Sequence, residues 1–193
     1  MKDKINIGCG TKQHQMKCWL NLDIDPKCKP DVVCNIEKGL PFKNNTFNEV
    51  YSAHTLEHIH PDKVRFVISE IIRVCKPEAK VTLFLPYFSH PTTIRTIEHK
   101  TPMGYYTLDN IDGFRIVHKQ LYFCRVSFPY VQKKWLNSLS KILNAVFNII
   151  PNSFPLFYER FFCWTFPMEE IKFEAIIDKK EEVENYYCII KEK

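Results

Sequence analysis

The feature that most constrains this chain is a strand–helix–strand pattern over residues 48–86. NEVYSAH (48–54) reads as a strand. Pro61 then suits a first helical position, and Asp62 favours the positive end of a helix dipole. Val64, Val67, Ile68, Ile71, Ile72 and Cys75 recur at three- and four-residue steps, which makes one buried helical stripe. Lys76-Pro77 stops that helix, and KVTLFLP (80–86) is the next strand. Two strands joined by a helix of this length make a right-handed βαβ unit.

Three further apolar runs precede this unit: KINIG (4–8), WLNLDID (19–25) and DVVCNI (31–36). Their near-continuous hydrophobicity is that of parallel strands covered on both faces. FRIVHKQLYF (114–123), EIKFEAIID (170–178) and NYYCIIKE (185–192) read as later strands. The expected fold is α/β: a Rossmann-like three-layer αβα sandwich on a mainly parallel seven-stranded sheet with an antiparallel edge strand. At 193 residues the chain makes one domain, with 87–113 and 132–168 as inserts or a lid over the substrate side. The aromatic stretch 135–168 is broken by Pro151, Pro155, Glu159 and Arg160, so it holds no bilayer-spanning run of roughly 20 apolar residues. It reads as core and oligomer contact ahead of an apolar substrate wall.

In an open parallel sheet, ligands bind at the carboxyl ends of the strands. The first strand ends in Gly8-Cys9-Gly10, where glycine lets the backbone turn sharply and approach a ligand. The second ends in Asp23, near the spacing at which an acidic residue takes a ribose diol in nucleotide-binding βαβ units. The third ends in Asn35-Ile36, an amide beside an apolar surface suited to adenine, and the fourth in His54. Between Gly10 and Asp23 there is too little chain for both a strand and a full helix, so the first crossover is a loop or a single turn.

These runs resemble the class I S-adenosylmethionine-dependent methyltransferases. INIGCG, NLDIDP, DVVCNIEKGLPFKNNTFNEVYSAHTLEHI and RVCKP before KVTLFLP are closest to the short type 11-like group, over about residues 4–87. The resemblance implies S-adenosylmethionine as cofactor. Gly8, Cys9 and Gly10 would line its methionine end, Asp23 would hold the ribose hydroxyls, and Ile24, Asn35 and Ile36 would surround the adenine. His54 would sit under the sulfonium. Asn6 stands where the family often has an acidic residue in the same cofactor pocket, and Lys12 where a third glycine would fall.

The string HTLEHIH (54–60) also fits the H-x-x-E-H pattern of inverzincin peptidases, which needs a continuous helix. Here His54 closes a strand and the helix begins only near Pro61, so Glu57 and His58 are expected to brace the turn, with no metal bound. A divalent-ion reading of His54, Glu57 and His58 would need His60, His90 or His99 to complete the ligand set. If an acceptor hydroxyl or amine must lose a proton, the candidate bases are His54, His90 and His99.

The eight cysteines fall singly without a C-x-x-C pair, and the start MKDKINIGCG has no apolar signal core. Both point to a reducing, cytoplasmic setting. A formal charge of +5, without a dense Lys/Arg run, argues against a duplex nucleic acid as partner. The expected function is methyl transfer from S-adenosylmethionine to a small molecule, a sugar or a lipid-linked intermediate. The alternatives are a catalytically silent cofactor binder acting through its aromatic C-terminal surface, and a metal-dependent hydrolase.

Overall fold

In the computed structural model, which describes residues 2–126 and 134–179, seven strands lie side by side in one sheet. They are β1 (Lys4–Ile7), β2 (Leu20–Asp23), β3 (Val32–Val33), β4 (Phe47–Ala53), β5 (Cys75–Pro86), β6 (Phe114–Tyr122) and β7 (Glu170–Ile177). The order is β3-β2-β1-β4-β5-β7-β6. The first five run parallel, and β7 pairs antiparallel with both β5 and β6. The antiparallel strand therefore sits second from the margin, and β6, at the margin, points the same way as β1–β5. The strand expected at 185–192 lies outside the described residues.

Register explains which side of the sheet is core. Ile5 pairs with Val50, Val50 with Val81 and Val81 with Ala175, while Ile7 continues through Ser52 and Leu83 to Phe173. All are buried. Helix α1 (Pro61–Val74) joins the same core through Val64, Val67, Ile68 and Ile71. Cys75, in phase with that stripe, already belongs to β5. On the opposite side the partners are polar or half-buried: Lys4, Asn6, Glu49, Tyr51, Lys80, Thr82, Lys172 and Glu174.

No helix joins β1 to β2. Instead the Asn6 amide donates to Asn21 Oδ1 at 3.1 Å and to the His14 carbonyl at 3.2 Å, and Asn21 in turn accepts from Met16 N. A buried amide network thus satisfies the polar groups of the connecting loop. The LPF turn (40–42) is bolted to α1 by two of its side chains. Glu70 accepts from Leu40 N at 2.7 Å, and Arg73 donates to the Leu40 and Phe42 carbonyls and pairs with Glu70 at 2.6 Å.

After β5 comes a short helix α2 (Pro91–Arg95), and between β6 and β7 lie α3 (Lys134–Phe147), α4 (Ile149–Ser153) and α5 (Pro155–Phe161). Asn144, Asn148 and Asn152 recur at four-residue steps along α3 and α4. Asn152 accepts from Leu121 N, Asn148 from Phe123 N and Asn144 from Cys124 N. This ladder satisfies the backbone of Leu121 near the end of β6 and of Phe123 and Cys124 just beyond it. Tyr158 and Cys163 are buried, but Leu139, Ile142, Val146, Phe154, Leu156 and Trp164 are exposed. The aromatic stretch, expected as core and oligomer contact, is thus largely surface in the single chain. Among the described residues, no helix is long and apolar enough to cross a membrane.

Candidate cofactor and active site

The carboxyl ends of β1 and β2 are tied into one junction. Gly8 and Gly10 both take positive φ, +70° and +56°, a region that a side chain makes costly. Gly8 N and Cys9 N both donate to the Leu22 carbonyl, and Gly10 N donates to Asp23 Oδ2 at 2.7 Å. Asp23 Oδ1 accepts from Asp25 N. Each oxygen of that carboxylate has a second lone pair, so acceptor capacity remains for a diol. A Cβ on Gly8 would lie 2.0 Å from Thr55 Oγ1, so the glycine is required by the close approach of the turn after β4.

The other expected cofactor residues divide by position. Cys9 is buried in the junction, and burial first, with Asp23 nearby, pushes its thiol up to about 11. Ile24 follows Asp23 and is 61% exposed, an apolar surface beside the carboxylate. Cys34 N donates to the Asp23 carbonyl, which brings the end of β3 to the same junction. Asn35 there caps a single helical turn by accepting from Glu37 N, and Ile36 is buried behind it. Asn6 does not join them: it is 2% exposed and spent on the loop network.

His54 ends β4 with a left-handed backbone, φ +53°, and its N–H donates to the Phe84 carbonyl. The bend turns its ring between two carboxylates. Nε2 stands 2.8 Å from Glu170 Oε1 and Nδ1 3.4 Å from Glu57 Oε1; both glutamates are fully buried. Burial by itself lowers the imidazole pKa, but the hydrogen-bonded Glu170 and the nearby Glu57 carboxylate outweigh it and the net shift is upward. Such a ring favours the cation, not the proton acceptor. His90 and His99 go the other way: burial lowers both, which favours the neutral imidazole.

Glu57 and His58 lie in a single turn of helix (Leu56–His58) just after β4. The chain at 98–101 folds over it. The Glu57 carbonyl accepts from Lys100 N and Thr101 N, Thr101 Oγ1 donates to the Ile59 carbonyl, and the His58 ring meets the Glu98 carbonyl at 3.2 Å. His99 is thereby set against His58, ring centroids 5.0 Å apart. Of the three histidines weighed to complete a ligand set, His99 is the one brought to Glu57 and His58; His60 is exposed and pairs with Asp62.

Two participants escaped the sequence reading. Glu170 begins a strand in which it alternates in step with Lys172 and Glu174, so its phase reads as outward. Thr55, pressed on Gly8, has no signal beyond following a strand end. Beyond the strand ends, α5 packs on the segment after β5: Tyr87 donates to Glu159 Oε1 at 2.6 Å, and Phe88 meets Trp164 edge-on at 5.6 Å.

Residues 5–83 match a family model described as a methyltransferase domain. No curated protein sequence matches the chain. Among solved structures it is similar to an S-adenosylmethionine-dependent methyltransferase from Archaeoglobus fulgidus, at 18% identity and TM-score 0.59, over 90% of this chain and 85% of that one. It is similar also to phosphoethanolamine N-methyltransferase 2 of Haemonchus contortus with S-adenosyl-L-methionine, at 16% identity and TM-score 0.59, over 91% of this chain and 48% of that one. A methyltransferase from Mesorhizobium loti aligns over 90% of both chains at 14% identity and TM-score 0.52. At such identities the likeness is one of fold.

Proposed function

We propose that this chain, which carries a class I S-adenosylmethionine-dependent methyltransferase domain and fold, transfers the methyl group of that cofactor to an acceptor at the carboxyl ends of β1, β2 and β4. The observation that carries the reading is the junction in which Gly10 N meets Asp23 Oδ2 at 2.7 Å, with Gly8 and Gly10 both at positive φ.

The donor set fits the cofactor. Asp23 has lone pairs for the ribose diol, Ile24 an apolar surface for the adenine, and the turn at Gly8-Cys9-Gly10 room for the methionine end. Asn35 and Ile36 border the adenine side, and His54 stands beyond the methionine end. Asn6 acts behind them, holding the loop that carries the glycines. Bound S-adenosylmethionine supplies a methyl carbon made electrophilic by its sulfonium.

The protein's part is to hold an acceptor in line with that carbon and to take its proton where it has one to lose. His54, fixed between Glu170 and Glu57, acts as a positively charged brace. His90, four residues past β5 and kept neutral by burial, is the base; a neutral imidazole near pH 7 is the competent form.

For the acceptor we favour a lipid-linked molecule over a free small molecule or a sugar. The exposed apolar side chains of 139–166 border the segment after β5 through Phe88 and Trp164. A surface of that kind suits a substrate with an apolar tail. A cytoplasmic setting accords with seven free cysteines among the described residues.

Calorimetry with S-adenosylhomocysteine tests the reading. We expect one site on the wild type and roughly 10–100-fold weaker binding for Asp23→Ala, the scale of a charge-assisted hydrogen bond. Absence of binding to the wild type overturns it. Methyl transfer to lipid-linked and water-soluble acceptors then separates an enzyme from a silent binder.

A further inference from the structure

Glu57 is fully buried, and neither of its carboxylate oxygens accepts a well-formed hydrogen bond. The nearest nitrogens are His54 Nδ1 at 3.4 Å and His58 Nε2 at 3.9 Å from Oε1. A buried carboxylate left in that state is costly, and buried polar atoms without partners call for an explanation such as an ion. His54 is itself shared with a second buried carboxylate, Glu170. Two carboxylates around one imidazole leave the pocket short of positive charge.

The two imidazoles beside Glu57 are arranged as ligands are. The Nδ1 of His58 is directed at the Glu98 carbonyl, which places the proton there and leaves Nε2, facing Glu57, as the electron-pair donor. The His99 ring is hydrogen-bonded to the Thr93 backbone, and its Nδ1 is buried with no hydrogen bond. In each ring a backbone group takes one hydrogen bond; the second nitrogen faces Glu57 in His58, and Nδ1 of His99 is left without a hydrogen bond. Metal-ligating histidines show this orientation from an outer hydrogen bond. The donor atoms of Glu57, His58 and His99 all lie within 4.8 Å of one another. Ligands on a tetrahedral ion stand roughly 3.5 Å apart, given bonds of about 2.1 Å, so closing by about an ångström completes the set. His58, with a side chain 39% exposed, has the freedom to move.

We propose that Glu57, His58 and His99 form a binding site for a divalent first-row transition-metal ion of the zinc, cobalt, iron or manganese type. One carboxylate oxygen and two imidazole nitrogens select that class over magnesium or calcium, which take oxygen ligands. Three protein ligands leave further positions to water or to a substrate atom. The site is distinct from the Gly10–Asp23 junction and does not depend on what binds there. It is also not the H-x-x-E-H arrangement of the sequence: His54 is turned to Glu170, and the third ligand comes from 41 residues beyond His58.

The test uses the full chain stripped of metal with a chelator and titrated with Co2+, then Zn2+, followed by equilibrium dialysis and visible absorption. One equivalent of Co2+ should bind and give d–d bands, and Zn2+ should displace it. His58→Ala, His99→Ala and the isosteric Glu57→Gln should each weaken binding at least tenfold. His60→Ala, an exposed imidazole two residues away, should leave it unchanged. The two histidine ligands are partly exposed, so their variants keep the fold, which circular dichroism verifies. The proposal is overturned if the wild type binds no stoichiometric Co2+, or if binding survives in His58→Ala and His99→Ala, or falls equally in His60→Ala.

Discussion

His54 Nε2 stands 2.8 Å from Glu170 Oε1, joining the end of the fourth strand to the start of the seventh. Glu170 is fully buried, and its other oxygen accepts from Val126 N. Breaking such a buried pair by removing one partner costs about 3–5 kcal/mol, because the other charge is left alone. Glu170→Ala should therefore unfold at markedly lower denaturant than wild type. Glu170→Gln, which keeps an acceptor oxygen, should lose less. Equal midpoints for Glu170→Ala and wild type in urea would contradict this account.

Gly8→Ala faces both a left-handed backbone and Thr55 Oγ1 at 2.0 Å. Overpacking costs about 1–3 kcal/mol and the left-handed residue about 1–2 kcal/mol more. Thermal denaturation should register the loss, and S-adenosylhomocysteine binding should fall with it. Thr55→Ser, paired with Gly8→Ala, should recover little, since the hydroxyl itself is the nearest atom.

Glu70 predicts the acid limb of stability. The hydrogen bond from Arg73 is the largest effect, and with the Leu40 N–H it lowers the Glu70 pKa from the usual 4.5 in spite of partial burial. A carboxylate depressed in the folded state contributes stability that is complete above its unfolded value and lost as pH falls through the folded one. Melting temperatures should drop from about pH 4.5 downward. In Glu70→Gln the curve should be flatter there and lower at neutral pH.

The exposed apolar face of 139–166 predicts adsorption to bilayers. With Lys141 and Arg160 on the same segment, vesicles containing anionic lipid should sediment more protein than neutral ones. Phe154→Ser with Leu156→Ser, both more than 60% exposed, should reduce sedimentation without lowering the melting temperature. Unchanged sedimentation by that pair would remove the argument for a lipid-linked acceptor.

The parallel half of the fold was legible because its strands are near-continuous apolar runs and its one long helix has a clean stripe, started by Pro61. The junction was legible because glycines and Asp23 stand where strands stop. Other features follow from tertiary context. Cys75 keeps helical phase yet starts β5: the helix, expected to be stopped by Lys76-Pro77, already ends at Val74, and Lys76-Pro77 lie inside the strand. Asn35 has the composition of an adenine contact, but locally it caps a turn, as asparagine does beside free backbone N–H groups. Glu57, read as a brace, is a buried carboxylate whose neighbours arrive from residues 98–101, a contact no local pattern announces. The aromatic stretch looked like core because hydrophobicity records what avoids water, not what covers it.

The asparagine ladder bears on how copies of the chain can meet. Asn152 takes both the N–H and the carbonyl of Leu121, and Asn148 and Asn144 hold the chain just past β6, so this end of the strand offers no template for β-augmentation. At the far margin, Val32–Val33 is only two residues long. Among the described residues, a second copy thus meets asparagine side chains at the end of β6 and only a two-residue ladder at β3. Self-association through the exposed apolar side chains of 139–166 would compete directly with membrane adsorption.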